Sequence, residues 1–236
     1  MVKIGTSRRL NKSLAGSKLK KSDIFIYLME VVLIIFGITV AYQLNVFYEN
    51  KKDLQLELSA IEKVHSENEA NISTFETLID KRLHLEEDTR QLARILFSGG
   101  NLAEDSISHY LFDINNIYKP IFQIEAINFY LNTNYTNKNS DLKSELITLK
   151  GTLLQLRDVV QTYVRIKEKY YNDFLVTEVD FGEERILSET KIKSVEFKNL
   201  VINLLSNEQT LNELFDKAYG ISLALDGFIE KKLADD

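Results

Sequence analysis

The chain has 236 residues with one proline, nine glycines, no cysteine and no tryptophan, and a formal net charge of −6. So few turn formers argue against a sheet-rich fold, and the missing cysteine removes disulfide scaffolds, thiolate metal sites and a cysteine nucleophile. With 27% charged and 44% hydrophobic residues, the composition supports a folded chain rather than a disordered one.

Charge divides the sequence into three. Residues 1–23 carry Lys3, Arg8, Arg9, Lys12, Lys18, Lys20 and Lys21 against Asp23, a net +6. Residues 24–45 hold a single charge, Glu30, which leaves −11 on residues 46–236. The expected organisation is a basic head (1–23), a transmembrane helix (24–45) and an α-helical domain (46–236). The 22 residues from Ile24 to Asn45, at about 1.5 Å each, reach roughly 33 Å, enough to cross a hydrocarbon core. A buried core helix rarely runs this long with so little charge, and a cleavable signal has only Thr39 and Ala41 as loose mimics of a cleavage site. An uncleaved signal anchor is the preferred reading.

Orientation follows from the flanks. Seven basic residues precede the span, against Lys51, Lys52 and Lys63 soon after it, so the amino terminus is expected in the cytoplasm. In a Gram-negative bacterium the acidic domain then lies in the periplasm, anchored in the inner membrane. The head, with Lys20 and Lys21 at the membrane interface, would attract anionic lipid headgroups at about 1 kcal/mol per residue. The acidic domain would repel phosphate backbones, so nucleic acid is not an expected partner.

Helical periodicity continues beyond the span. Leu54, Leu58, Ile61, Ile72, Phe75 and Ile79 fall on one alternating 4-3 series, with His65 and Asn68 in its two polar places. The same series runs back through Phe47, Leu44, Val40, Gly37, Leu33, Glu30 and Ile26. One register predicts a helix from Ile24 to Phe97 that leaves the bilayer without a hinge, stopped at Ser98-Gly99-Gly100. Asn101 to Glu104 reads as a capping box opening a second helix with Ile107, Leu111, Ile114 and Tyr118, ended by Pro120. Ile121 to Leu131 reads as a short buried helix, and Asn132 to Asn139 as a polar loop. A second seam follows through Leu142, Leu146, Leu149, Leu153, Leu156, Val160, Tyr163, Lys167, Tyr170 and Phe174, and Val176 to Ser188 reads as a loop. Ile192, Val195, Leu200, Val201, Leu204 and Leu205 come next. A fresh helix start is expected at the capping box Ser206 to Gln209, with Leu211, Leu214, Phe215, Ala218, Tyr219, Leu225 and Phe228 beyond it. The expected fold class is all-α, an N-terminal transmembrane helix continuing into an extracytoplasmic antiparallel helical bundle. The two long seams pack against each other in the simplest arrangement; pairing of the first seam with its copy in another subunit is the alternative. His65 and Asn68 form a polar layer in that seam, of the kind that fixes register or finds partners within the bundle.

The run from Glu30 to Asn45 resembles an uncharacterised family of small single-pass inner-membrane proteins of Gram-negative bacteria. In that family a glutamate opens the span, a glycine follows seven residues later, and a glutamine and an asparagine close it. Glu30, Gly37, Gln43 and Asn45 match. The family usually has a tryptophan beyond the asparagine, where this chain has Phe47 and Tyr48. The resemblance implies a helical soluble part and no particular activity. Physically, an ionisable group in a span marks function by default, and a small residue two turns away on the same face permits close helix approach. Glu30 and Gly37 are therefore candidates for span–span contact, whereas Gln43 and Asn45 would meet the outer interface.

The chemistry-bearing motifs are missing. His65, His84 and His109 make no zinc-protease pattern, and no phosphate loop or serine elbow occurs. His84 with Glu86, Glu87 and Asp88 reads as a solvated acidic turn, so no metal site, cofactor or catalytic residue is expected. The expectation for function is a membrane-anchored periplasmic scaffold or adaptor that binds a partner protein or self-associates. A ligand-sensing protein whose helical domain acts on its transmembrane helices is the alternative. Ile121 to Tyr135 is the segment with most to offer a partner if it lies on the surface.

Overall fold

A computed structural model of the chain describes residues 21–98, 104–135, 140–183 and 185–235. Seven α-helices, a π turn and two short strands are found among them. Helix α1 (Lys21–Phe97, 77 residues) covers the run that the periodicity predicts. It closes with the Ser98 amide donating to the Arg94 carbonyl at 2.9 Å. Gly99, Gly100 and most of the expected capping box lie outside the described residues. Two compact units divide the chain, Met1–Asp53 and Leu54–Asp236. In the first, the large apolar side chains from Phe25 to Tyr48 are exposed except for the half-buried Val46.

In the second unit the helical segments are ordered by their contacts. Along α1 and α7 (Val195–Asp235), Asn68 meets Ser222 and Arg82 meets Glu208. Numbers rise on one helix as they fall on the other, so the two are antiparallel. The same argument applies to α1 and the stretch that holds α2 (Glu104–Ile114) and α3 (Glu125–Asn132), where Asn71 meets Gln123 and Glu57 meets Tyr130. It applies again to that stretch and α4 (Ser140–Ile166) with its continuation, where Lys167 meets Asn116 and Tyr171 meets Leu111. Lys167 also faces Glu208, and Phe174 stacks on Phe197 with centroids 4.0 Å apart, which makes α4 and α7 antiparallel. The expectation that the α1 and α4 seams face each other as an antiparallel pair is corrected by these contacts. Both helices run counter to α7 and therefore parallel to one another.

The α2–α3 stretch is broken, and polar side chains repair it. Ile107, Leu111 and Ile114 are buried as expected, but residues 115–124 are not helical, Pro120 lying among them. Ile121 is 83% exposed and Phe129 is also exposed, so the expected buried helix over 121–131 is a shorter one with Ile127 and Tyr130 inside. Backbone groups freed in this way need other partners. Asn71 holds Gln123 at both, accepting from its amide and donating to its carbonyl, each at 2.8 Å. Glu67 caps α3 from another helix, accepting from the amides of Ala126 (2.8 Å) and Ile127 (3.3 Å). The Tyr171 hydroxyl donates to the carbonyl of Leu111, one of the orphans at the end of α2.

The second seam also departs from its regular period. After α4 the chain makes a π turn (Lys167–Tyr171) and continues as α5 (Asn172–Glu178). Leu142 through Tyr163 and Lys167 are buried as the 4-3 series requires. The wider turn then inserts a residue, and the buried face moves from Tyr170, 52% exposed, to Tyr171, 0% exposed, and on to Leu175. The expected loop over 176–188 is replaced by the end of α5 and a hairpin. Strand β1 (Val179–Asp180) pairs antiparallel with β2 (Arg185–Ile186), Val179 opposite Ile186. Asp180 Oδ1 accepts from the amides of Gly182 and Glu183, an Asx-type turn. Ser188 then caps the single-turn α6 (Glu189–Ile192).

Helix α7 runs through Ser206 without interruption, which overturns the expected fresh start there. Phe197, Val201, Leu204, Glu208, Leu211, Phe215, Ala218, Ser222, Leu225 and Ile229 form an unbroken 4-3 series, and every one is buried. Glu208 belongs to that inner row. Its carboxylate is engaged by Arg82.

Candidate functional site

Unit one contains the residues singled out in the expected span. Glu30, Gly37, Gln43 and Asn45 are exposed. A Cβ at Gly37 would meet nothing within 4 Å, so nothing among the described residues requires glycine there. Asn45 Nδ2 donates to Glu49 Oε1 at 3.0 Å, and Thr39 Oγ1 to the Ile35 carbonyl at 2.8 Å. Lys20 and the Lys21 side chain lie outside the described residues. Helix α1 is, among the described residues, the helix long and apolar enough to cross a membrane, and none of its apolar window is buried.

Unit two holds a sealed charged cluster at the level of the π turn. Arg82 of α1 is 2% exposed, Lys167 of the π turn 0% and Glu208 of α7 0%. Arg82 Nη2 donates to Glu208 Oε2 at 2.7 Å, and Arg82 Nε to Asn212 Oδ1 at 3.1 Å. Asn212 passes the contact on, its Nδ2 donating to Glu86 Oε2 at 2.6 Å. Lys167 Nζ lies 3.8 Å from Glu208 Oε1 and donates to the Asn116 carbonyl at 2.7 Å. Aromatic faces complete the shell: the Arg82 guanidinium is 4.9 Å from the Phe215 centroid and Lys167 Nζ 4.7 Å from that of Tyr163. Burial lowers the Lys167 pKa to about 8, assisted by the Arg82 charge and opposed by Glu208. Burial and the facing Glu208 carboxylate push the Tyr163 phenol far above its ordinary value. Two cations around one carboxylate, shut off from solvent, cannot receive a substrate. Such a set is kept intact by the strong cost of losing any one member.

The expected polar layer lies further along the same α1–α7 seam. Asn68 is fully buried, and its Nδ2 donates to the Ser222 carbonyl at 2.9 Å and to Asp226 Oδ1 at 3.3 Å. His65 Nε2 lies 3.2 Å from the same Asp226 oxygen. Both residues thus find partners on α7 of their own chain. His84 stays exposed, and its acidic neighbours are otherwise engaged: Glu86 with Arg90 and Asn212, Glu87 with Gln91 and Arg94. His109 is exposed beside Asp113 at 3.0 Å.

A groove beside α4 combines exposed apolar surface with charge. It has a volume of about 620 Å³ and lies between residues 119–124 and α4. Ile121, Phe122 and Val160 contribute apolar lining, and Lys119, Arg157 and Arg165 are the lining cations. Glu168 pairs with Lys119 at 3.4 Å. The segment from Ile121, expected to be buried, therefore presents its first residues at the surface.

Sequence reasoning missed Arg82, Glu208, Asn212, Glu67 and Asn71. For Arg82 a signal was present, since the α1 series extends one step past Ile79 to residue 82. Comparison of the chain with protein-family models, curated proteins and solved structures gives no match.

Proposed function

We propose that the protein is a single-pass membrane protein, anchored by residues 24–45, that serves as a non-catalytic scaffold or adaptor. It holds an antiparallel helical bundle on the far side of the cytoplasmic membrane, in the periplasm of a Gram-negative cell. The observation that carries this reading is the exposure of the large apolar side chains from Phe25 to Tyr48, all but the half-buried Val46. About 24 residues of exposed hydrocarbon, roughly 36 Å of helix, would be strongly unfavourable in water at about 25 cal/mol per Å². Lipid is the solvent that covers such a surface. The basic head and acidic domain supply the charge asymmetry that sets orientation.

The adaptor part rests on what the exposed surfaces offer. Glu30 and Gly37 share one face of the span and suit contact with a second span, either a copy or a partner protein. The groove beside residues 119–124 pairs an apolar floor with Lys119, Arg157 and Arg165, a combination suited to an anionic amphipathic segment of a partner. A purely adaptor role is supported by the sealing of the main charged cluster from solvent. The test is gentle solubilisation of the full chain, mass measurement of the detergent complex and identification of co-purifying proteins. Glu30→Gln and Gly37→Leu should each reduce oligomer mass or partner recovery. Unchanged mass and recovery in both variants would remove the span–span part of the reading.

A further inference from the structure

We propose that His65, Asp226 and Glu230 bind one divalent first-row transition cation, zinc in class, that ties α1 to the carboxyl-terminal turns of α7. His65 Nε2 and one carboxylate oxygen from each acid lie within 4.8 Å of one another. Ligand bonds to zinc are about 2.0–2.2 Å, so donors sharing an ion stand about 3.5 Å apart, and a small rotation of the exposed Glu230 side chain closes the set. Asp226 and Glu230 are one turn apart on α7 and share a face. His65 arrives from α1 already 3.2 Å from Asp226.

A second observation points to a ligand. Asn68 Oδ1 and Ser222 Oγ are shut off from solvent without a hydrogen-bond partner, and both residues are fully buried. Sealed polar atoms left unmatched cost about 1–3 kcal/mol each, and such pairs are unusual in a folded chain. An ion would take the imidazole lone pair. Asn68 already plays the supporting part of an outer-shell residue, its Nδ2 fixing the Asp226 carboxylate at 3.3 Å. An imidazole nitrogen with two carboxylates selects a transition cation over calcium or magnesium, which favour all-oxygen sets. Two carboxylates balance the ion's charge, and three protein ligands leave a coordination place for water. A simple His65–Asp226 ion pair accounts for one contact and leaves the placing of the Glu230 carboxylate beside it unexplained.

The test uses the full chain in detergent, stripped with a chelator and titrated with Zn²⁺ alone by calorimetry and with Co²⁺ by visible absorption. The expected result is saturation at one equivalent, a melting temperature raised by Zn²⁺, and a Co²⁺ ligand-field band. His65→Gln and Glu230→Gln should each weaken binding by about tenfold or more, and His65→Gln should abolish the band. Because Glu230 is exposed, its variant folds whether or not His65→Gln does, and it decides the matter alone. Absence of saturable binding, or affinity unchanged in Glu230→Gln, overturns the proposal.

Discussion

Replacing Glu208 by glutamine tests the sealed cluster most sharply. The substitution keeps the side chain's volume and its capacity to accept a hydrogen bond, but it removes the carboxylate that Arg82 and Lys167 share at 2.7 and 3.8 Å. Both cations then remain 0–2% exposed with no direct counter-charge. Breaking a buried pair at one end costs about 3–5 kcal/mol. For a domain of this size each kcal/mol moves the melting temperature by about 2–4 °C, so Glu208→Gln should melt about 10 °C below the parent. The assay is thermal unfolding of the full chain in detergent, followed by the helical circular dichroism signal. Glu213→Gln, on the exposed side of the same helix, serves as the control and should shift by less than about 2 °C. The apolar triple substitution Arg82→Met, Lys167→Met, Glu208→Leu should recover most of the loss, since well-packed apolar replacements of buried ion sets are often neutral or better. A Glu208→Gln protein melting within about 2 °C of the parent would refute the reasoning.

The same cluster sets a pH dependence. Lys167 falls from 10.5 to about 8 in the folded chain, so between these values the unfolded state binds more protons and stability rises with pH. The gain from about pH 8 to about pH 10 is about 2 kcal/mol. Above about pH 10 the raised Tyr163 and Tyr171 pKa values reverse the trend, because the unfolded chain then loses phenol protons that the folded one retains. Melting curves against pH should therefore pass through a maximum near pH 10, and Lys167→Met should show no rise from pH 8; a rise of equal size in the variant would contradict the assignment. A third expectation concerns the π turn. Deleting Lys169, which is exposed, should convert the turn to regular helix and leave folding intact, because Tyr171 and Leu175 then fall on the original 4-3 row. Deleting Gln155 from the regular part of α4 should abolish cooperative melting, since it rotates Leu156, Val160 and Tyr163 off the buried face. Equal tolerance of the two deletions would show that the π turn is not the inserted residue.

Much of the fold is legible as periodicity. The α1 helix, the buried row from Leu142 to Tyr163 and the all-α class follow from 3.6-residue spacing, because burying an apolar face dictates that spacing wherever helix packs on helix. What stayed hidden has a common physical cause. Arg82 and Glu208 sit in core rows as charges, and periodicity read from apolar residues skips them or stops at them, whereas Lys167 could be placed because apolar residues flank it on its seam. Ser206 to Gln209 has the local pattern of a capping box, yet Leu204, Glu208 and Leu211 carry the buried row through it and Arg82 holds Glu208 inside that row. A tertiary contact there outweighs a local preference of about 1 kcal/mol. The π turn leaves no composition signal, and only its consequence, Tyr171 inside and Tyr170 outside, reveals it. Among the candidate site residues, His65 and Asn68 were visible as gaps in a seam. Asp226 and Glu230 were not, since nothing in a linear sequence says that positions so far along face His65.

The membrane reading is tested most directly by thiol labelling, for which a chain without cysteine gives no background. Single cysteines are placed in the head, at Ser7, and on the exposed side of α4, at Ser144, and intact cells are treated with a membrane-impermeant maleimide once the outer membrane has been permeabilised. The account predicts that Ser144→Cys is labelled at once and that Ser7→Cys reacts only after the inner membrane is lysed. Labelling of Ser7→Cys alone, or of neither before lysis with both recovered in the soluble fraction, would contradict it.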